Sequence, residues 1–119
     1  GEWMKALELL TSMIQCRLDV DTVAYNVAIS ACEKADRWII AFELMSDMSQ
    51  HRVEKDTVTY NAAISACENC GEWIRALELL SLMEREHIEV NIITCSAVIS
   101  ACEKGLNWQQ AVVVLGEMP

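Results

Sequence analysis

Apolar residues recur along this chain at the spacing of helices that are buried on one side, and the spacing returns every 35 residues. One kind of segment has a stripe at i, i+3, i+4 and i+7, found at Tyr25, Ala28, Ile29 and Cys32, at Tyr60, Ala63, Ile64 and Cys67, and at Cys95, Val98, Ile99 and Cys102. A second kind begins with Trp, at Trp3, Ala6, Leu7 and Leu10, at Trp38, Ala41, Phe42 and Met45, and at Trp73, Ala76, Leu77 and Leu80. The pattern predicts alternating first and second helices of a repeated hairpin.

The repeat is visible in the residues themselves. Trp occurs at 3, 38, 73 and 108, and the block Ala-Ile-Ser-Ala-Cys-Glu at 28–33 returns at 63–68 and, with Val first, at 98–103. Four segments follow: 1–21 is the second half of a repeat, 22–56 and 57–91 are full repeats, and 92–119 is an incomplete one. Because the pattern is already under way at residue 1, we expect the chain to be a piece of a longer protein.

One helical hairpin cannot bury both of its faces, but stacked hairpins can. The sequence therefore predicts an all-α fold, a right-handed α-solenoid superhelix of stacked helix–turn–helix hairpins. Asp21 and Asp56 are placed to cap first helices, and Gly71 and Gly105 lie where one helix turns into the next. A last helix is expected from Trp108 to Met118, and we expect the open ends to be covered by further repeats or by a partner.

Composition and charge narrow the classes of function. Apolar residues make up 53% and charged residues 23% of the chain, which is the composition of a folded protein. The longest strongly apolar run, 112–115, is far below the roughly 18 residues of a membrane helix, so no membrane insertion is predicted. The net charge of −9 opposes non-specific binding to nucleic acid. The first helices carry three Glu and two Lys, a net of −1, so most of the acidity lies elsewhere.

The face of each first helix opposite the core stripe predicts a groove. Each helical residue turns the chain by about 100°, so four residues of each first helix cluster on this face. They are one apolar residue, two small polar residues and one polar residue at the end of the helix. The sets are Val23, Asn26, Ser30 and Lys34; Val58, Asn61, Ser65 and Asn69; and Ile93, Ser96, Ser100 and Lys104. Such rows suit a single strand of bases, because Val23, Val58 and Ile93 would sandwich bases, amides would bond base edges, and Lys34 and Lys104 would meet phosphates.

Structural explanations compete with each of these roles. Asp56 and Asn91 are good helix caps at about 1 kcal/mol each, a role that base reading does not exclude. The alternative for Asn26 and Asn61 is a bond to local backbone. The recurrence of Trp and Cys at core positions favours packing, and the single Cys-x-x-Cys at 67–70 has no second pair. No nucleophile–base set, phosphate loop or metal-ligand spacing is present, so we predict no enzyme activity, no metal and no cofactor.

The 35-residue period, with Val-x-Tyr-Asn at 23–26 and 58–61 and Ala-Leu-Glu-Leu-Leu at 6–10 and 76–80, closely resembles pentatricopeptide repeats. Tetratricopeptide repeats, with a period of 34 and a different signature, are a weaker match. The resemblance implies single-stranded RNA binding at one base per repeat. It also implies a location in the mitochondrion or plastid and a role in RNA processing, editing, stability or translation. We expect a soluble protein, and the cysteine spacing indicates buried thiols in a reducing compartment.

The resemblance also assigns base-reading residues, the fifth and the last of each repeat. Asn26 with Asp56 is the family's pair for uracil, and Asn61 with Asn91 is its pair for a pyrimidine, with cytosine favoured. The third repeat departs from the family pattern, because Ser96 stands where Asn or Thr is usual and Cys95 where Tyr is usual.

A second function class is open at this point. The same solenoid is a suitable protein-interaction scaffold, an accessory subunit of an organellar assembly such as a ribosome or a photosynthetic complex with no RNA bound. The net charge of −9, the small number of repeats and the apolar ends favour it. RNA threading past Val23, Asn26, Val58 and Asn61 would decide for the first class, and acidic residues contacting basic protein loops would decide for the second.

Overall fold

The computed structural model describes residues 2–16 and 20–105, and all regular secondary structure within them is α-helical. The helices are α1 (Glu2–Gln15), α2 (Thr22–Lys34), α3 (Trp38–Gln50), α4 (Thr57–Asn69), α5 (Trp73–Arg85) and α6 (Ile92–Lys104). The prediction of an all-α chain of helical hairpins is confirmed. The expected last helix at 108–118 lies outside the described residues.

The helices form two layers. The first helices α2, α4 and α6 begin 35 residues apart and pack against one another as an inner layer. The outer helices α3 and α5 pack against the first helix of their own repeat and of the next, and α1 packs against α2. The described part of the chain measures 47 × 31 × 18 Å, as expected for hairpins translated along an axis rather than gathered around one centre.

The core lies between the layers and uses the predicted stripes. Tyr25, Ile29 and Cys32 are fully buried, and the equivalent residues of α4 are buried in the same way. The buried tyrosines also join the layers, because the hydroxyl of Tyr25 donates to Asp47 Oδ2 at 2.8 Å and that of Tyr60 donates to Glu86 Oε2 at 3.0 Å. Burial, and then these carboxylates, raise the pKa of both tyrosines.

Hydrogen bonds at helix ends account for where the helices stop. After α2, Asp36 takes a left-handed conformation (φ 58°), and the N–H of Arg37 donates to the carbonyl of Cys32 at 2.8 Å. The same pair of features after α4 uses Gly71 (φ 68°), where glycine meets no steric penalty. These turns reverse the chain into the outer helix.

The tryptophans lie at the margin of the core rather than inside it. Trp38 and Trp73 are partly buried and pack against the core, and Trp38 meets Phe42 edge-on with ring centroids 5.6 Å apart. A Cβ on Gly105 would come within 2.2 Å of Trp73 Cδ1, so the ring lies directly on this glycine. Because Trp38 and Trp73 each begin a helix, they cover the turn beside the core. Trp108 lies outside the described residues.

Candidate nucleic-acid interface

The inner layer exposes the three branched residues that the sequence places on the groove. Val23 is 67% exposed, Val58 56% and Ile93 60%, although branched apolar side chains usually bury most of their surface. They occupy the same position in successive first helices, so one apolar side chain stands out from each repeat.

An open cavity of about 880 Å³ lies between the first two of these side chains. Val23 and Val58, predicted to sandwich a base, line it together with Asn26 and Asp56, predicted to read the base, and with Lys34, predicted to contact phosphate. Ser30 and Trp3 also contribute to the wall, and the guanidinium carbon of Arg37 lies 5.3 Å from the centre of the Trp3 ring. The tertiary structure therefore brings the predicted residues of repeat 22–56 into a single site.

Within that site the two base-reading residues are hydrogen-bonded to each other. Asn26 Nδ2 donates to Asp56 Oδ1 at 3.1 Å, although the two residues are 30 positions apart, near the start and at the end of repeat 22–56. Asn26 is 8% exposed, so its amide is held at the floor of the cavity. Asn26 therefore bonds Asp56 and Thr59, which are distant in sequence, rather than the local backbone of its own helix.

Repeat 57–91 has the same arrangement. Asn61 Nδ2 donates to Asn91 Oδ1 at 3.3 Å, again 30 positions apart. Asn61 is partly exposed and Asn91 is exposed. The two pairs differ in one atom, because Asn91 has an amide nitrogen, a donor, where Asp56 has a second carboxylate oxygen, an acceptor.

The closing residues of the repeats also cap the next first helix. Asp21, Asp56 and Asn91 each accept a hydrogen bond from the backbone N–H three residues on, at 3.0, 3.0 and 3.1 Å. Desolvation by itself would raise the pKa of the Asp56 carboxyl, but hydrogen bonds from the Thr59 backbone and from Asn26 hold that pKa below its usual range. Asp56 therefore stays ionised at neutral pH while one oxygen caps α4.

The third repeat is simpler. Ser96 is exposed on the same face as Ile93, and Cys95 is buried where Tyr25 and Tyr60 lie in the other repeats. A serine hydroxyl reaches less far than an asparagine amide.

The two lysines predicted to contact phosphate are placed differently. Lys34 is exposed and lines the cavity, as the prediction requires. Lys104 forms an ion pair with Glu68 of the preceding repeat, and this contact raises the pKa of its ammonium group. Asn69, at the equivalent position of α4, donates to the backbone carbonyl of Glu33 at 3.1 Å. Lys104 thus contributes to repeat stacking, and its phosphate contact stays a prediction.

Sequence reasoning missed two threonines. Thr59 and Thr94 are fully buried, and their hydroxyls donate to the amide oxygens of Asn26 and Asn61 in the preceding repeat, the first at 2.6 Å. The signal available in the sequence was a Thr 33 residues after each asparagine. Thr94 is present even though its own repeat has lost the Tyr-Asn pair.

The remaining candidate chemistry has a structural role. Cys67 is fully buried, and burial raises its pKa to about 12, whereas Cys70 is exposed. Among the described residues, no three His, Cys, Asp or Glu side chains are grouped closely enough to hold a metal ion. None of the described helices combines the length and the apolar character needed to cross a membrane.

Helical hairpins that repeat every 35 residues and stack in two layers, with a groove along the inner layer, define the class of α-solenoid repeat proteins. Sequence comparison then gives the family. The PPR repeat family model matches residues 20–69 and 55–104, and the PPR repeat matches residues 93–119. The chain belongs to the pentatricopeptide repeat family. A comparison with curated proteins finds no match.

Solved structures with the same fold include the pentatricopeptide repeat protein PPR10. The chain is similar to PPR10 in complex with an 18-nt psaJ RNA element, with 21% identity and a TM-score of 0.87, and to PPR10 from maize, with 22% identity and a TM-score of 0.87. In both comparisons the match covers 99% of this chain and 17% of PPR10. The chain therefore spans about one sixth of the length of that protein.

Proposed function

We propose that this chain binds single-stranded RNA along the groove of its inner helices, with one base at each repeat. The cavity of repeat 22–56 carries the proposal, because it places Val23 and Val58 on either side of the hydrogen-bonded pair Asn26 and Asp56. A base between the valines would bury its two faces against their side chains, while its edge would hydrogen-bond to Asn26 and Asp56. The RNA-bound structure of PPR10, a protein with the same fold, supports the choice of ligand.

The atoms of each pair favour a particular base edge. Asn26 uses its oxygen on Thr59 and one amide hydrogen on Asp56, so its second hydrogen is a donor beside the free carboxylate oxygen of Asp56. A donor next to an acceptor complements the O4 and N3–H of uracil, and guanine presents the same order of groups. In the second pair the amide nitrogen of Asn91 replaces the acceptor, and two donors complement N3 and O2 of cytosine.

Charge supports the groove rather than the outer surface as the binding face. Lys34 lines the cavity, where its charge balances the carboxylate of Asp56. Acidic side chains such as Glu43, Glu78 and Glu84 lie exposed on the outer helices, where they would repel phosphates. The strand is therefore directed to the inner layer. We further propose an organellar location, on the strength of the family resemblance.

The affinity of this chain alone will be low. Stacking contributes about 1–3 kcal/mol per base, and a millimolar complex already requires about 4 kcal/mol net. Two to three bases therefore give weak binding. The suitable assay is an NMR titration of the ¹⁵N-labelled chain with short RNA, at low salt because phosphate contacts weaken as salt rises.

The test compares pyrimidine-rich with adenine-rich oligoribonucleotides of equal length. We expect shifts at Asn26 and Asn61 that saturate at lower concentration with the pyrimidine RNA, and that are reduced by Asn26→Ala. Gln50→Ala, which removes an exposed amide from the outer helix α3, is the matched control and should leave binding unchanged. Equal binding of both RNAs, or equal effects of the two variants, would contradict base reading.

A repeated apolar ridge on the outer layer favours a second candidate, the protein scaffold. Met4, Ile39 and Ile74 follow the tryptophans and are 49%, 57% and 54% exposed. An exposed Glu lies one turn after each of them, so the ridge would suit a basic amphipathic helix. This function would be favoured if a lysine- and leucine-rich helical peptide shifts the NMR signals of Ile39 and Ile74 while RNA shifts no signal of the groove residues.

A further inference from the structure

Each base-reading asparagine depends on a threonine of the following repeat. The hydroxyl of Thr59 donates to Asn26 Oδ1 at 2.6 Å, and Thr59 Oγ1 also accepts from the backbone N–H of Asp56 at 3.1 Å. Thr94 repeats both contacts, with Asn61 and with the N–H of Asn91. Thr59 and Thr94 are fully buried and lie below the groove, so neither can touch a base.

These contacts decide which way the amide faces. A side-chain amide has one accepting and one donating end, and Asp56 Oδ1 matches only the donating end. The Thr59 hydroxyl, whose oxygen accepts the Asp56 N–H, offers its proton to Asn26 Oδ1 at 2.6 Å and, at a longer 3.0 Å, to Asp56 Oδ1, and so matches the accepting end of the amide. With its oxygen on the Thr59 hydroxyl, Asn26 turns its nitrogen to Asp56 Oδ1, 3.1 Å away. In the reversed orientation the amide oxygen would face a carboxylate oxygen, acceptor against acceptor, and the groove would meet a carbonyl instead of an N–H.

We infer that Thr59 and Thr94 are positioning residues for base selection, each fixing from the next repeat the amide orientation of Asn26 or Asn61. The inference rests on the proposed RNA function and adds a residue that determines specificity without contacting RNA. In this chain, each full repeat therefore needs the third residue of its successor to read its base.

A purely structural role is the competing explanation. The Thr59 hydroxyl also completes the capping box of α4, in which Asp56 accepts from the Thr59 backbone. The chain offers a matched control for this role in Thr57, whose hydroxyl also makes a long-range hydrogen bond, to the Glu89 carbonyl 32 residues on at 2.7 Å, but bonds neither asparagine. Loss of either hydroxyl removes one long-range hydrogen bond, and only loss of the Thr59 hydroxyl frees an amide.

The experiment compares Thr59→Val, Thr59→Ser and Thr57→Val with the unaltered chain in two measurements. The first, without RNA, follows the two Nδ2 protons of Asn26 by NMR, because a fixed amide gives two dispersed, slowly exchanging signals. The second measures the ratio of dissociation constants for RNAs carrying uracil, cytosine or guanine at the position read by repeat 22–56.

We expect Thr59→Val to collapse the Asn26 amide signals and to lower the preference for uracil over cytosine about tenfold, equivalent to about 1.4 kcal/mol. Thr59→Ser should restore both readouts, and Thr57→Val should leave both unchanged while lowering thermal stability. An unchanged base ratio in Thr59→Val, or an equal change in Thr57→Val, overturns the inference. If the unaltered chain binds no RNA the proposed function fails instead, and the Asn26 signals still report whether Thr59 fixes the amide.

Discussion

Exchanging the closing residues of the two full repeats should exchange their base preferences. Asp56 Oδ1 accepts from Asn26 Nδ2 at 3.1 Å and from the Thr59 N–H at 3.0 Å, and Asn91 Oδ1 makes the equivalent bonds at 3.3 and 3.1 Å. Asp56→Asn can therefore keep both bonds through its amide oxygen. The variant differs at the other terminal atom, which changes from an acceptor to a donor facing the groove.

The cost to folding is small and the effect on recognition is larger. Hydrogen bonds to charged groups contribute about 1.5–3 kcal/mol and neutral ones about 0.5–1.5 kcal/mol. Because Asp56 is exposed, the low ends apply, and Asp56→Asn should lose about 1 kcal/mol of unfolding free energy. The new donor of Asp56→Asn would face the N3–H donor of uracil, and neither would have an acceptor. This costs about 1–3 kcal/mol, or about 5- to 150-fold in the ratio of dissociation constants for the two bases.

The assay is a competition titration with two oligoribonucleotides that differ in one base. Asp56→Asn should move repeat 22–56 from uracil towards cytosine, and Asn91→Asp should move repeat 57–91 in the opposite direction. The ratio cancels the general gain in RNA affinity expected when a negative charge is removed. If Asp56→Asn keeps its uracil preference within twofold while Asn26→Ala weakens binding, then Asp56 is a helix cap alone.

The same variant has a defined pH dependence. The pKa of Asp56 is lowered in the folded state, so its stabilising contribution is complete above the unfolded value of about 3.9 and is lost as pH falls through the folded value. The difference in unfolding free energy between the unaltered chain and Asp56→Asn should therefore shrink below about pH 4. Urea denaturation at pH 7 and pH 3 measures it, and a constant difference would contradict the assigned hydrogen bonds.

Three further outcomes test the fold. Burial raises the pKa of Tyr60, so folding disfavours its ionisation and the unaltered chain should lose unfolding free energy as pH rises above 10. Tyr60→Phe should lose less, and urea denaturation at pH 8 and pH 11 measures both losses. Native alkylation followed by mass spectrometry should modify the exposed Cys16 and Cys70 before the four buried cysteines, and uniform labelling would contradict the packing. Ile64→Ala, at a fully buried site, should cost about 2–5 kcal/mol in urea denaturation. The exposed Ile74→Ala should cost under about 1 kcal/mol, and equal losses would refute the assignment of the layers.

Most of the architecture could be predicted from local pattern. Helix content and the buried stripe follow from the 3.6-residue period, and the starts of α2 and α4 follow from Asp21 and Asp56, because both properties depend on residues within one or two turns. The 35-residue repeat then required equivalent helices to pack in equivalent ways. The groove residues followed from the same helical periodicity, since the face opposite a buried stripe must be exposed.

The long-range contacts, within and between repeats, depended on the tertiary structure. Asn26 meets Asp56 and Thr59 at separations of 30 and 33 residues, and Lys104 meets Glu68 at 36, although every equivalent position is spaced by 35. The offset with which one hairpin lies on the next sets these separations, and no local propensity encodes that offset. Sequence therefore determined which side chains face the groove, while stacking decided which of them are already bonded to one another and so which hydrogen-bonding atoms remain for a ligand.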